Sequence, residues 1–249
     1  MRRLRPAQWG FALLTLIVGA ACIRLGFWQL DRLDERQQRN AAIQAELDRP
    51  IIDLNAELVP AEGLAYRRLR ARGTFDPEHE IVLSNRSYSG QAGVHLVTPL
   101  RIDGMDAAVL VDRGWIPASQ ASGEARAGFA LSGTVEVVGV SRPSQDEPSI
   151  AWLADPTRGP DTPALDSWRF LNLPAIQAQT PYPLLAVILE ASEPVGGQPL
   201  PKPQTEIDVS EGPHMSYAIQ WFAFAAIALL GGAAWMVRST RPRLPRTQP

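Results

Sequence analysis

The chain has a single cysteine, Cys22, among 249 residues. That excludes a disulfide framework and any multi-cysteine metal site, so a domain on an oxidising side must rely on its own apolar core. Acidic residues are missing from both ends: all 26 lie between Asp31 and Glu211, and the first 30 and last 36 positions contain none. Those ends carry arginine instead, at Arg2, Arg3, Arg5 and Arg24 and at Arg238, Arg241, Arg243 and Arg246. Residues 31–213 hold 16 basic against 26 acidic side chains, a formal charge of −10. Two basic, apolar ends around an acidic polar centre exclude a wholly soluble chain, even though the mean hydropathy of −0.09 resembles that of one. The acidic centre also argues against a nucleic-acid-binding surface. Catalytic signatures are absent: there is no HExxH, no Cys pair, no P-loop, no GxGxxG after a strand and no GxSxG. Ser84, Ser87 and Ser89 lie near His79 and His95 in sequence, but proximity along the chain does not make a triad. Asp103, Asp106 and Asp112 fall on expected turns or strands with nothing to pair them, and read as solvated residues.

Trp9 to Ile23 reads WGFALLTLIVGAACI without a charge, Arg24 interrupts, and LGFWQL continues to Leu30. A span needs about 20 residues at about 1.5 Å each to cross hydrocarbon. The first run suffices if it extends to Trp28, with Arg24 snorkelling toward the interface. The second, Tyr217 to Val237, reads YAIQWFAFAAIALLGGAAWMV and is uncharged. The arginines before the first run and after the second predict that both ends are cytoplasmic. The resulting expectation is a cytoplasmic tail over residues 1–8, a transmembrane helix over 9–30, an outer-side domain over 31–213, a second transmembrane helix over 217–237 and a cytoplasmic tail over 238–249. The basic start and the small residues before Cys22 also resemble a lipoprotein signal. Gly19 stands where such a signal usually has a Leu-like residue, and the apolar run continues past Cys22, so an uncleaved anchor is expected.

Between the spans, DRLDERQQRNAAIQAELDR is polar and free of Gly and Pro, which predicts that the first helix continues into solvent. From Tyr66 onward the period becomes two. YRRLRARGTF, HEIVLSNRSY, GVHLVTPLRI, AAVLVDRGWI, LSGTVEVVGVSR, SWRFLN and LLAVILEAS read as seven strands. They are separated by turn signals at Asp76-Pro77, Ser89–Gly93 and Asp103-Gly104 and by a Pro/Asp-rich loop after the fifth strand. The expected fold is a membrane α+β protein: two transmembrane helices flanking an antiparallel β-sheet or small β-barrel on the outer side. A Pro/Gly-rich extended connector then returns to the membrane. Arg113-Gly114-Trp115 reads as a turn out of the fourth strand, with Trp115 packed on the sheet and Gly114 allowing a close or positive-φ path.

His79 and His95 read as surface or half-buried sheet residues. His214 lies at the outer mouth of the second span, and on one helix it shares a face with Tyr217, Ala218 and Trp221. An imidazole beside aromatic rings there suits an iron porphyrin. An ordinary interfacial His in an aromatic belt explains the same residues, and on physical grounds alone is the better account.

Five segments together resemble the surfeit locus protein family. LGFWQLDR, through Gly26, Trp28, Gln29 and Arg32, looks like its Gly-x-Trp-Gln-x-x-Arg signature. YRRLRARGTF and GVHLVTPL are similar to its early strands. VLVDRGWIP resembles Val-x-Arg-Gly-Trp-x-Pro through Arg113, Gly114, Trp115 and Pro117. PHMSYAIQWFAFA resembles the His-x-x-Tyr-Ala-x-x-Trp-Phe signature that opens the last helix. Asp112 stands where the motif commonly has Asn, and nothing around Asp155–Asp166 matches.

The resemblance implies a non-enzymatic assembly factor for haem-copper cytochrome c oxidase in the bacterial inner membrane, with its central domain periplasmic. It would assist haem a insertion into the catalytic subunit. Haem a binding by some members implies an axial role for His214, with Tyr217, Trp221 and Trp28 around the macrocycle. The expected partners are the catalytic oxidase subunit, the haem a synthase and membrane lipids, with no nucleic acid. Two other readings remain open: a haem-free scaffold for an oxidase intermediate, and an envelope enzyme or sensor whose β-domain takes a soluble ligand.

Overall fold

The structure, a computed structural model, describes residues 5–56, 63–145, 155–156, 164–203 and 207–240. The outermost arginines, most of the Pro/Asp-rich loop including 157–163 of its Asp155–Asp166 stretch, and three residues of the connector lie outside the described residues. The elements run α1 (Pro6–Leu47), β1 (Ile52–Asp53), β2 (Arg68–Phe75), β3 (Ile81–Tyr88), β4 (Gln91–Ile102), β5 (Ala108–Pro117) and α2 (Gly123–Ala127). They continue with β6 (Thr134–Arg142), β7 (Ser167–Trp168), α3 (Leu173–Gln177), β8 (Leu184–Ala191) and α4 (His214–Thr240). The chain forms two compact units: residues 1–42 with 209–249, and residues 43–208.

The first unit pairs α1 with α4, and both helices are long and apolar enough to cross a membrane. Pro6 opens α1, where a missing N–H costs nothing, and the helix ends shortly before Pro50. The buried positions of α1 are Gly19, Cys22, Gly26 and Leu33, and those of α4 are Ala218, Ala225 and Gly232. Small residues thus recur every seven positions along both seams. They permit close approach: a Cβ on Gly19 would stand 2.6 Å from the Leu229 side chain, and one on Gly26 would stand 2.7 Å from the Phe222 ring. In lipid, where burying apolar surface gives no advantage, close packing of this kind is what holds helices together. Leu13, Ile17, Ile227 and Leu230 are exposed on this unit, as lipid-facing residues should be.

The second unit is a β-domain built on a closed ring of five strands. β2 pairs with β6, β6 with β8, β8 with β5, β5 with β4, and the end of β4 returns to β2 through Gly73–Ile102, Thr74–Arg101 and Phe75–Leu100. All these pairings are antiparallel except β5–β8, which is parallel. β3 extends the sheet beyond the ring by pairing with the first part of β4, and the two-residue strands β1 and β7 add parallel edges. The Leu69, Ala71, Gly73 and Phe75 positions of β2 are buried and the alternate positions are not, which is the period-two pattern of RLRARGTF. Leu69, Phe75, Leu100, Val109, Val111, Val137 and Leu189 fill the ring. A second core lies on the other face, where Leu110, Val97, Ile188 and Leu83 meet Trp168, Leu171 and Ile176 from the segment carrying β7 and α3. β5 is therefore covered on both sides, which explains a run of nine buried residues in place of alternation.

Two expectations change here. Only Ser167–Trp168 of SWRFLN is strand, because the chain turns at Asn172, whose side chain caps α3 by accepting from Ala175 N at 2.9 Å. The connector after β8 is not free along its whole length. Lys202 exchanges two backbone hydrogen bonds of 2.7 Å with Trp115.

Ring closure depends on Gly73, where any Cβ would overlap the Arg101 carbonyl. Gly73→Val should separate β2 from β4 and destabilise the domain by about 3 kcal/mol or more, a severe overpacking effect. Urea unfolding followed by tryptophan fluorescence measures this.

Candidate functional site

His214 is the first residue of α4, following the Gly212-Pro213 entry, and it is half-buried. Its Nδ1 lies 2.9 Å from Gln29 Oε1 on α1, 185 positions away in sequence. A carbonyl oxygen only accepts, so Nδ1 carries the hydrogen and donates it. In the neutral ring this leaves the Nε2 lone pair free, and Nε2 has no partner among the described residues. A ring nitrogen fixed in this way by a hydrogen bond on its other side is the usual state of a metal-ligating His. Gly212, at φ +70°, adjoins the ring: a Cβ there would stand 3.7 Å from Nε2, in ordinary van der Waals contact. The imidazole present therefore fits a single protein ligand to a metal, through Nε2.

The remaining candidates are arranged less closely. Tyr217 and Trp28 are exposed, at 46% and 45%. Trp221 packs edge-on against Phe224 at 6.0 Å, and Phe27 against Phe222 at 5.3 Å. Among the described residues, none of these rings stacks on His214. Just beyond, α1 ties down the chain entering α4: Arg36 Nε donates to Ser210 O at 2.8 Å and Asn40 Nδ2 to Val209 O at 2.6 Å. Arg32 is exposed and pairs with Glu35 of its own helix at 2.6 Å.

The β-domain contains a site that was not expected. His95 and Asp112 are each 5% exposed, and His95 Nδ1 lies 2.8 Å from Asp112 Oδ2. Asp112 is therefore not a solvated turn residue and His95 is not a surface one. Both project from paired strands into the second core's face, and Asp112 Oδ1 also accepts from Gly114 N at 2.9 Å. They line a cleft of about 440 Å³ with Tyr66, Arg86, Arg142 and Glu190. Arg142 Nε donates to Glu190 Oε2 at 2.7 Å. Burial raises the Glu190 carboxyl above its ordinary pKa, Asp112 adds to this, and Arg142 and His95 only partly offset it. His79 lies in a 3-10 turn instead of a strand. Its Nδ1 is 2.8 Å from Asp76 Oδ2, which also accepts from Tyr182 OH at 2.6 Å.

Comparison with known proteins now bears on this geometry. Residues 16–226 match the SURF1 family model. This chain belongs to the SURF1 family. A SURF1-like protein of Monosiga brevicollis is 28% identical over 232 residues, covering 89% of this chain and 84% of that protein. Surfeit locus protein 1 of Homo sapiens is 23% identical, covering 88% of this chain and 74% of its own length. A SURF1-like protein of Rickettsia felis is 36% identical over 141 residues, covering 53% of this chain and 57% of its own.

The five segments that carry the SURF1 resemblance all fall inside the matched residues. Gly26 serves the helix seam and Gln29 holds His214. Arg113-Gly114-Trp115 is not a turn but the interior of β5. Arg113 is 2% exposed, and its guanidinium donates to Glu80 at 3.1 Å and to Phe129 O at 2.6 Å, and lies 5.0 Å from the Phe75 ring. Arg126 donates to the other Glu80 oxygen at 3.0 Å, so two cations share one buried carboxylate. Gly114 has φ +111°, and a Cβ there would overlap the Lys202 carbonyl. Close approach of the connector therefore requires glycine, and a bulge between Leu96 and Val97 accommodates the backbone path. Trp115 is 5% exposed and packs against Tyr88 at 5.6 Å.

These contacts make the signature in β5 structural. Gly114→Val and Trp115→Ala should both lower protein abundance, Trp115→Ala by a loss of about 3–5 kcal/mol as for other buried tryptophans. Immunoblots of membrane fractions, set beside oxidase assembly, measure this. Normal abundance with lost assembly would make the segment a client contact.

Proposed function

We propose that this SURF1-family chain is a non-enzymatic assembly factor for haem-copper cytochrome c oxidase, and that it receives haem a at His214 and passes it to the catalytic subunit. The observation that carries the reading is the His214–Gln29 hydrogen bond, which joins two signature residues and leaves Nε2 able to bind iron. The cargo brings the iron and the macrocycle. The protein contributes the oriented imidazole, and Tyr217, Trp221 and Trp28 offer apolar ring faces. In this reading a single protein ligand from a half-buried residue suits a carrier, because release requires breaking only one bond. The catalytic subunit is the receiving partner, the haem a synthase the supplying one, and lipid surrounds the helix pair.

His214→Ala should remove most bound haem a without changing protein level or membrane insertion, since truncation at a helix mouth leaves little cavity. Trp28→Ala should weaken binding less, and His79→Ala and His95→Ala should be weaker still per folded molecule. Pyridine haemochrome spectra of protein purified from cells making haem a give this order. Equal haem in wild type and His214→Ala, at equal protein, would favour the haem-free scaffold.

In this proposal the host is a bacterium, the chain lies in its inner membrane, and the domain between the spans is periplasmic, a direction supported by the arginine-rich ends. A reporter active only outside the cytoplasm should work when fused after Ala191 and fail after Gln248. Activity at both points would mean that α4 is not a span.

A further inference from the structure

Across the outer face of the β-domain runs a row of ionisable side chains, one from each of five neighbouring strands. In sheet order they are Arg142 on β6, Glu190 on β8, Asp112 on β5, His95 on β4 and Arg86 on β3. All five line the cleft, above a floor that includes Leu83, Leu171 and Ile188. Such a row is costly beside a core unless something uses it.

The hydrogen bonds these groups already make define the kind of ligand that would complete the row. The two carboxylates are committed: Asp112 accepts from His95 and from Gly114 N, and Glu190 accepts from Arg142. The donors are not used up. Arg142 spends Nε on Glu190 and lays its guanidinium 5.3 Å from the Tyr66 ring, and its two terminal nitrogens have no hydrogen-bond partner among the described residues. Arg86 has no carboxylate partner among the described residues; its NH1 reaches only the carbonyls of Ser84 and Asn85, at 3.3 and 3.4 Å. His95 Nε2 has no partner among the described residues. Surplus donors on two guanidiniums call for an oxyanion, and the apolar floor calls for a short carbon body attached to it. A cation is disfavoured by the same two arginines, and no group of three metal-ligating side chains occurs among the described residues. The cleft's size falls within the range of small-molecule sites.

We infer that this cleft binds a small organic oxyanion, a carboxylate or phosphate on an apolar body, with Arg86 as its principal charge partner. The site lies wholly within the β-domain and does not depend on His214 binding haem. Arg86 suits the test because it is only partly buried and makes no ion pair whose loss would strand a carboxylate.

Calorimetric titration of the full-length protein in detergent, with benzoate, phenyl phosphate and uncharged benzyl alcohol as probes, tests this. The expected result is saturable binding of one acid or both at one per chain below about 10 mM, with benzyl alcohol at least tenfold weaker. The tighter of the two acids identifies carboxylate or phosphate as the natural chemistry. Arg86→Gln, at an unchanged melting temperature, should weaken that acid about tenfold or more, while Arg86→Lys should recover part of the loss. Absence of saturable binding for both acids, equal affinity for benzyl alcohol, or unchanged affinity in Arg86→Gln would each overturn the assignment.

Discussion

Helices in lipid gain little by hiding apolar side chains from a surrounding that is itself apolar, so their separation is set by what stands between their backbones. In this chain that is almost nothing: Gly19 and Gly26 lie under Leu229 and Phe222, and Gly232 lies under Thr15. The seam ends where Gln29 meets His214 in a side-chain hydrogen bond between the two helices. A bulkier residue at Gly26 would push the Phe222 ring outward and draw Gln29 away from the imidazole. The signature around Gly26 and the one opening α4 are therefore two halves of one contact. The orientation of the ring, and through it the choice of which nitrogen is free, follows from the packing of the helix pair.

The β-domain obeys a different constraint. β5 is buried on both faces, so its polar residues must find partners inside the protein. Arg113 finds Glu80 and Phe129 O on one side, and Asp112 finds His95 and Gly114 N on the other. The backbone of β5 carries a further obligation at Trp115, which pairs with Lys202 and so binds the connector back onto the domain. The Arg-Gly-Trp signature is thus a place where a buried charge, a close backbone crossing and a large ring coincide. That explains its composition without any direct part in chemistry.

Much of this architecture is legible in the residues themselves. The uncharged run of α4 and the period-two stretches from Tyr66 onward signal spans and half-buried strands, because a single face or a single solvent dictates each pattern. The His95–Asp112 pair is not legible in the same way. It depends on the register of β4 against β5, which a four-residue turn at Asp103–Asp106 and the bulge after Leu96 together shift. Asp103, which does sit in a turn, looks the same in sequence as Asp112, which does not. Gly114 suggests a turn because glycine usually marks one; here it marks the approach of Lys202, 88 positions later. At the helix mouth, His214 and Trp28 stand out by residue type, whereas Gln29 does not. Its importance comes from a neighbour 185 positions away.

The proposed function rests on Gln29 holding the imidazole of His214 with Nε2 free to bind a haem iron. The most direct measurement leaves His214 in place and changes only its partner: the haem a content, per protein, of Gln29→Leu purified beside wild type. Outer partners of metal-ligating histidines typically contribute about 10–100-fold in affinity, so haem content should fall by about tenfold or more while protein level holds. Haem content equal to wild type in Gln29→Leu would contradict the claim.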